Sequence, residues 1–232
     1  MRYLVLSDIH GHHMTLEKIV NSITVRDSRF DAVLIAGDLT NFGTMANAAI
    51  LVGILREKLP AVPLAAVAGN CDPSDVRSYL EATDISVESR MVARGGLLVS
   101  GAGGGLLHHG NMPFERVEAD FSRAFRDAFA GFTDHTASGL PFVGLTHTPP
   151  YGGEADLRNH RHTGSKVILQ QLLRRKAVAW ICGHIHESRS VSEVDTTLVV
   201  NPGPAAEGCH AIMEIAPDGR GGWRSEAKLL GL

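Results

Sequence analysis

Five short apolar runs constrain what this 232-residue chain can fold into more than any other feature. They are YLVLS before Asp8, AVLIAG before Asp38, PLAAVAG before Asn70, FVGLT before His147 and AVAWICG before His184. Each has the length of a strand and is rich in Val, Leu, Ile or Ala. A strand with one wet face alternates apolar and polar residues, so a near-continuous apolar run requires cover on both faces. Amphipathic helical patterns lie between several runs. Met14 to about Ser28 puts Leu16, Ile19, Val20 and Ile23 on one face, and Thr44 to Lys58 does so with Ile50, Leu51, Ile54 and Leu55. Phe114 to Ala130 carries a stripe of Phe114, Val117, Phe121, Phe125 and Phe129. Ser165 suits the N-cap of VILQQLLRRK, whose Arg174, Arg175 and Lys176 suit the last turn of a helix dipole. From Val191 to Lys228 the pattern turns to short strands, with turns at Asn201-Pro202-Gly203-Pro204 and Pro217-Asp218-Gly219. The alternation followed by a β ending predicts an α/β fold with at least one mixed sheet. No repeat or linker divides it, which predicts a single domain over residues 1–232.

Several classes of function are disfavoured by composition. The net charge of −3 gives no broad attraction to nucleic acid or an anionic membrane. No run of about 18 apolar residues is present to span a bilayer. Cys71, Cys182 and Cys209 are odd in number and far apart, which argues against a disulfide framework and for a reducing cytoplasm. GAGGG has Leu106 where a dinucleotide fingerprint needs its third glycine.

The residues that end the five runs point to chemistry. In open α/β sheets, ligands bind beyond the carboxyl ends of the strands, where Asp8, Asp38, Asn70, His147 and His184 all fall. Each alone could be a turn or a cap; together they predict one shared site. Asp8-Ile9-His10 and His184-Ile185-His186 sharpen this. In extended backbone, residues two apart face the same way, so each polar pair converges while its Ile turns into the core. The mixture of carboxylate, amide and imidazole suits Mn²⁺, Fe²⁺, Ni²⁺, Co²⁺ or Zn²⁺ rather than Ca²⁺. Seven ligands exceed what one such ion takes while leaving positions open. Two ions fit better, with Asp38 as the natural bridge.

DIH at 8–10, GDLTN at 37–41, GNCD at 69–72, TH at 146–147 and GHIH at 183–186 resemble the ordered motifs of the calcineurin-like metallophosphoesterase family. THTPPYGG, HTGSK and NPGP resemble a small prokaryotic-type branch of predicted phosphoesterases within it. The resemblance implies a four-layer α/β/β/α sandwich with two mixed β-sheets. It implies that Asp8, His10, Asp38 and His186 hold one metal, and that Asp38, Asn70, His147 and His184 hold the other.

The function expected is hydrolysis of small phosphate esters, phosphodiesters before monoesters, by hydroxide generated between two metal ions. Mn²⁺ is the ion expected to support activity best. Asp38, Asn70 and Cys71 are the expected catalytic group. Many family members have His where this chain has Cys71, and a thiol is a poor substitute as acid. His108 or His109 in GAGGGLLHHGN, and His160, Arg161 and His162 in GGEADLRNHRHTGS, are candidates to meet the substrate, as is Asn70. Asp72 and Asn41 are expected to orient ligands or turns. The rival reading is a catalytically weakened protein of this fold that acts as a binding scaffold, which the Cys71 substitution supports. The expected partner is a small phosphate ester, with neither a membrane nor a nucleic-acid surface; a homo-oligomer through the Phe-bearing helix is compatible with the pattern.

Overall fold

The computed structural model describes residues 1–24, 29–108, 111–130 and 139–232. The chain opens with β1 (Arg2–Leu6), α1 (His13–Thr24), β2 (Ala32–Ala36), α2 (Met45–Lys58), β3 (Leu64–Val67) and α3 (Ser74–Ala82). Next come β4 (Met91–Arg94), β5 (Leu97–Ala102), β6 (Gly105–Leu106), β7 (Glu115–Arg116), α4 (Glu118–Phe129) and β8 (Phe142–Thr146). After β9 (Leu157–Arg158), β10 (Arg161–His162), α5 (Lys166–Arg175) and β11 (Ala179–Ile181), the chain ends in β12 (Ser190–Val194), β13 (Thr197–Asn201), β14 (His210–Pro217) and β15 (Trp223–Leu230). Among the described residues no helix is long and apolar enough to cross a membrane.

Two mixed sheets result. One has the order β15-β14-β1-β2-β3, the other β12-β13-β11-β8-β5-β4. β1, β2 and β3 are parallel, as are β5, β8, β11 and β13; β14 joins β1 antiparallel. All five runs that end in candidate ligands are therefore central or parallel strands.

Alternation divides each run between two cores, which is why the runs are apolar throughout. Leu4, Leu6, Val33 and Ile35 pack with Leu16, Ile19 and Val20 of α1 and Leu51, Val52 and Leu55 of α2. Their neighbours Tyr3, Val5, Leu34 and Ala36 face Val99, Val143, Leu145, Ile181 and Val200 of the other sheet. Beyond that sheet, Phe142, Trp180 and Val199 meet Phe121, Phe125 and Phe129 of α4 and Ile168 and Leu172 of α5. The succession is helices, sheet, sheet, helices. Each fully buried Leu, Ile or Phe here contributes about 1.5–3 kcal/mol relative to exposure.

Several expectations need correction. The fourth helix starts at Glu118 rather than Phe114. Val117 is extended, and its N–H is taken by the Asp120 carboxylate at 3.1 Å. Val117 is exposed, while Phe114 lies between the guanidinium groups of Arg77 and Arg116, 4.1 and 4.5 Å from its ring centre. Phe121, Phe125 and Phe129 of the stripe face the core. Ile50 is exposed, so the buried face of α2 is Ala48, Leu51, Val52 and Leu55. α1 is described to Thr24; residues 25–28 of the expected helix lie outside the described residues. α3 was not anticipated. Ser165 does cap α5, its Oγ accepting from the Ile168 N–H at 3.1 Å.

Candidate metal centre

The carboxyl ends of β1, β2 and β3 meet those of β8 and β11 along the seam between the sheets. The loop after β1 is laced to the loop after β2: the N–H groups of Asp8, His10 and Gly11 donate to the carbonyls of Gly37, Asp38 and Leu39 at 2.8–3.0 Å. This pairing forces Asp8, His10 and Asp38 into left-handed backbone, with φ of 54°, 48° and 48°. His184 is also left-handed, at 70°, and His186 opens a single helical turn. The pairs Asp8/His10 and His184/His186 do converge, and Ile9 and Ile185 are buried as expected. Their backbone is not extended, however. Turns held by long-range hydrogen bonds aim these side chains, not strand alternation.

The donor atoms lie close together. Oδ2 of Asp38 is 3.4 Å from Nε2 of His147 and 3.8 Å from Nε2 of His10. Oδ1 of Asp8 is 3.2 Å from Nε2 of His186 and 3.8 Å from Nε2 of His10. Oδ1 of Asn70 is 2.9 Å from Nε2 of His147. His184 stacks edge-on to His147, with ring centres 5.0 Å apart. Asp8, Asp38, Asn70 and His147 are buried; among the seven candidate ligands only His186 is exposed.

The residues suit divalent cations. The Ala36 carbonyl can only accept, so the 2.7 Å contact with Nδ1 of His147 puts a proton there and leaves Nε2 to ligate. Such a donated hydrogen bond is the usual support of a metal-bound imidazole. Nδ1 of His10 is buried without a hydrogen-bond partner, and its Nε2 stands too far from either carboxylate for a hydrogen bond. That spacing leaves room for a cation shared among Asp8, His10 and Asp38. Three groups of potential ligands each lie within 4.8 Å of one another: Asp8, His10 and His186; His10, Asp38 and Cys71; Asp8, Asp38 and His147.

The electrostatics follow from this crowding. Burial works to raise Asp8 and Asp38, but contacts with His186 and His147 outweigh it and hold both below the usual carboxylate range. His147 is opposed by burial, yet the Asp38 carboxylate raises it to about 9. Burial and the neighbouring His147 push His184 down to about 4, so it is neutral near pH 7.

The remaining predicted residues are placed as follows. Cys71 is buried, and its N–H donates to Oδ1 of Asp38 at 2.8 Å, leaving Oδ2 for cations. Burial and Asp38 push its thiol up, so it keeps its proton. Asp72 orients loops, as expected: it accepts from the Leu39, Thr40 and Gly69 N–H groups and the Thr40 hydroxyl at 2.8–3.1 Å. His162 is bound through Nδ1 to Asp156 at 2.7 Å. His109 lies outside the described residues.

Two supporting residues went unnoticed in the sequence. Ser7 donates its hydroxyl to Oδ2 of Asp8 at 2.5 Å. Asn201, which looked like part of a turn, donates its amide to the Ile185 carbonyl at 2.9 Å and so holds the GHIH loop. Its companion Gly203 is left-handed at 77°. The Asn-Pro-Gly-Pro spelling was the only available signal for that role. Gly183 is required for a different reason: a Cβ there would collide with the Ser7 hydroxyl and the Asp8 carboxylate.

The profile of the calcineurin-like phosphoesterase family matches residues 1–188. An uncharacterized protein of Methanocaldococcus jannaschii is 25% identical over 209 residues, 88% of each chain. Among solved structures, a protein of Thermus thermophilus superposes with a TM-score of 0.69 at 21% identity, covering 97% of both chains. A structure described as a novel archaeal phosphodiesterase gives 0.50 at 16% identity, covering 98% of this chain and all of that one. The two structural likenesses concern the fold.

Proposed function

Because the chain belongs to the calcineurin-like phosphoesterase family, we propose that it is a two-metal phosphodiesterase for small phosphate esters, best supported by Mn²⁺. The observation that carries the two-metal reading is Oδ2 of Asp38. This one oxygen lies 3.8 Å from Nε2 of His10 and 3.4 Å from Nε2 of His147, with Oδ1 already occupied by the Cys71 N–H. Asp8, His10, Asp38 and His186 would hold the first ion, and Asp38, Asn70, His147 and His184 the second. When bound, the ions neutralise phosphate charge and supply a nucleophile from water near neutral pH.

The chain's own part is positioning and proton placement. The Ala36 carbonyl holds the His147 proton on Nδ1, and the low pKa of His184 keeps that ring unprotonated. Nδ2 of Asn70 donates weakly to the Cys71 sulfur at 3.4 Å, which turns its Oδ1 toward His147. The protonated Cys71 thiol is a poor acid for a departing alkoxide, so substrates with good leaving groups are favoured. The fold shared with an archaeal phosphodiesterase supports the diester reading.

Chelation followed by Mn²⁺ add-back, with an activated phosphodiester as substrate, tests the proposal. Turnover should vanish and return. Metal bound without turnover on any phosphate ester would favour the scaffold reading instead.

A further inference from the structure

The stretch LRNHRH forms β9, a two-residue turn and β10 beside the metal centre. Asn159 and His160 occupy left-handed backbone, with φ of 49° and 61°. That is the backbone of a tight hairpin turn, in which Asn is tolerated and Gly is the usual second residue. His, like Asn, enters this region more readily than most side chains, so the turn forms without glycine. Every residue from 157 to 162 is exposed.

The register of the ribbon sets Arg158 directly opposite Arg161. Opposed residues of an antiparallel pair project from the same face, and like charges placed so destabilise the pair. Among the described residues Arg158 has one loose ion pair, with Glu187 at 3.9 Å, both side chains more than half exposed. Arg161 has no ion pair among the described residues. Two guanidinium groups thus share one face of a short ribbon with little to neutralise them.

The ribbon is nonetheless firmly held. Asp156 at its base is fully buried and accepts from the N–H groups of Gly152 and Gly164 at 2.9 and 3.0 Å and from His162 at 2.7 Å. The Ser188 hydroxyl donates to the Leu157 carbonyl. Ser188 belongs to the turn that begins at His186, and Glu187, reached by Arg158, is the residue between them. His186 is the exposed member of the ligand set, and the turn it opens packs against the ribbon.

We propose that Arg158 and Arg161 clamp a second phosphate group of the substrate, separate from the phosphate at the metal centre. The proposal rests on the phosphoesterase reading of that centre and narrows its substrates to small molecules with at least two phosphates. A phosphate between the guanidinium groups removes their mutual repulsion and accepts the forked hydrogen bonds that arginine offers.

Isothermal titration of the full chain in Mn²⁺ with adenosine 3′,5′-bisphosphate and with adenosine 5′-monophosphate tests the clamp. The bisphosphate should bind tighter by on the order of tenfold. In R158A/R161A this ratio should fall toward one, and R158K/R161K, which keeps charge without the fork, should retain part of it. Equal binding of the two nucleotides by the parent chain overturns the clamp, as does an unchanged ratio in R158A/R161A. If the ratio behaves as expected while the activated diester is not turned over, the hydrolase reading fails and the clamp stands. Turnover with a ratio of one sinks the clamp alone.

Discussion

Nε2 of His147 lies 3.4 Å from Oδ2 of Asp38, a contact buried where the two sheets meet. One residue follows a strand of the second sheet and the other a strand of the first, so the contact also records how the sheets are docked.

The pair sets the response of the metal-free centre to pH. Burial disfavours the charged His147, but Asp38 raises it from 6.5 to about 9. A histidine raised on folding stabilises the fold fully below its unfolded value and loses that contribution as pH climbs through the folded value. Chelated protein should therefore lose this contribution between pH 6.5 and about 9. The same proton must leave before Nε2 can ligate, so Mn²⁺ affinity should rise across that window with proton release. Thermal melts and calorimetric titrations in buffers of different ionisation enthalpy measure both; a pH-independent affinity contradicts the assignment.

Asp72 should matter for stability more than its absence from the ligand set suggests. Replacing it with Ala leaves the buried Leu39, Thr40 and Gly69 N–H groups without this acceptor. The expected cost in urea denaturation is about 3 kcal/mol or more, against about 1 kcal/mol for Thr40→Val, which removes a single hydroxyl bond. Mn²⁺ affinity should weaken in parallel, because the loops carrying Asp38 and Asn70 are tied through this carboxylate. A stable Asp72→Ala variant with intact affinity would refute its role.

Two glycines separate packing from ligation. A Cβ on Gly144 would strike the Trp180 indole, so Gly144→Ala should destabilise by about 1–3 kcal/mol through overpacking while leaving metal stoichiometry intact. A Cβ on Gly183 would instead displace Ser7 and Asp8, and Gly183→Ala should lower the bound metal measured by elemental analysis. Identical metal content in the two variants would count against the assigned position of Asp8.

Cys71→His offers an imidazole beside Asp38 in place of a thiol that holds its proton. The gain in kcat/KM should be largest for diesters with poor leaving groups, by about 10²-fold if the ring serves as general acid. A series of phenolate leaving groups measures this as a shallower dependence on leaving-group pKa. An equal gain across the series would mean that the substitution acts elsewhere.

Much of the site could be read from the chain because its signals are local. Asp38 and Asn70 end apolar runs, and an apolar run of strand length announces its own burial. The Phe121, Phe125 and Phe129 stripe was legible for the same reason, since helical spacing is a property of neighbours. Phe114 misled because it continues that spacing one turn before the helix begins; the extended Val117 and the Asp120 cap decide the start. α3 escaped notice because only Val76 and Leu80 of its nine residues are buried, too few to form a stripe.

The inventory could be read from the chain alone: which oxygen and nitrogen donors stand at strand ends, in what order, and that the strands are covered on both faces. Those properties follow from short-range spacing and the cost of exposing apolar surface. The aim of the donors came from long-range contacts. Asp8, His10 and Asp38 bend into left-handed backbone because the loops after β1 and β2 satisfy each other's hydrogen bonds, and His147 reaches Asp38 because two sheets stack face to face. Contacts between distant segments choose among backbone states that each residue's immediate neighbours leave open.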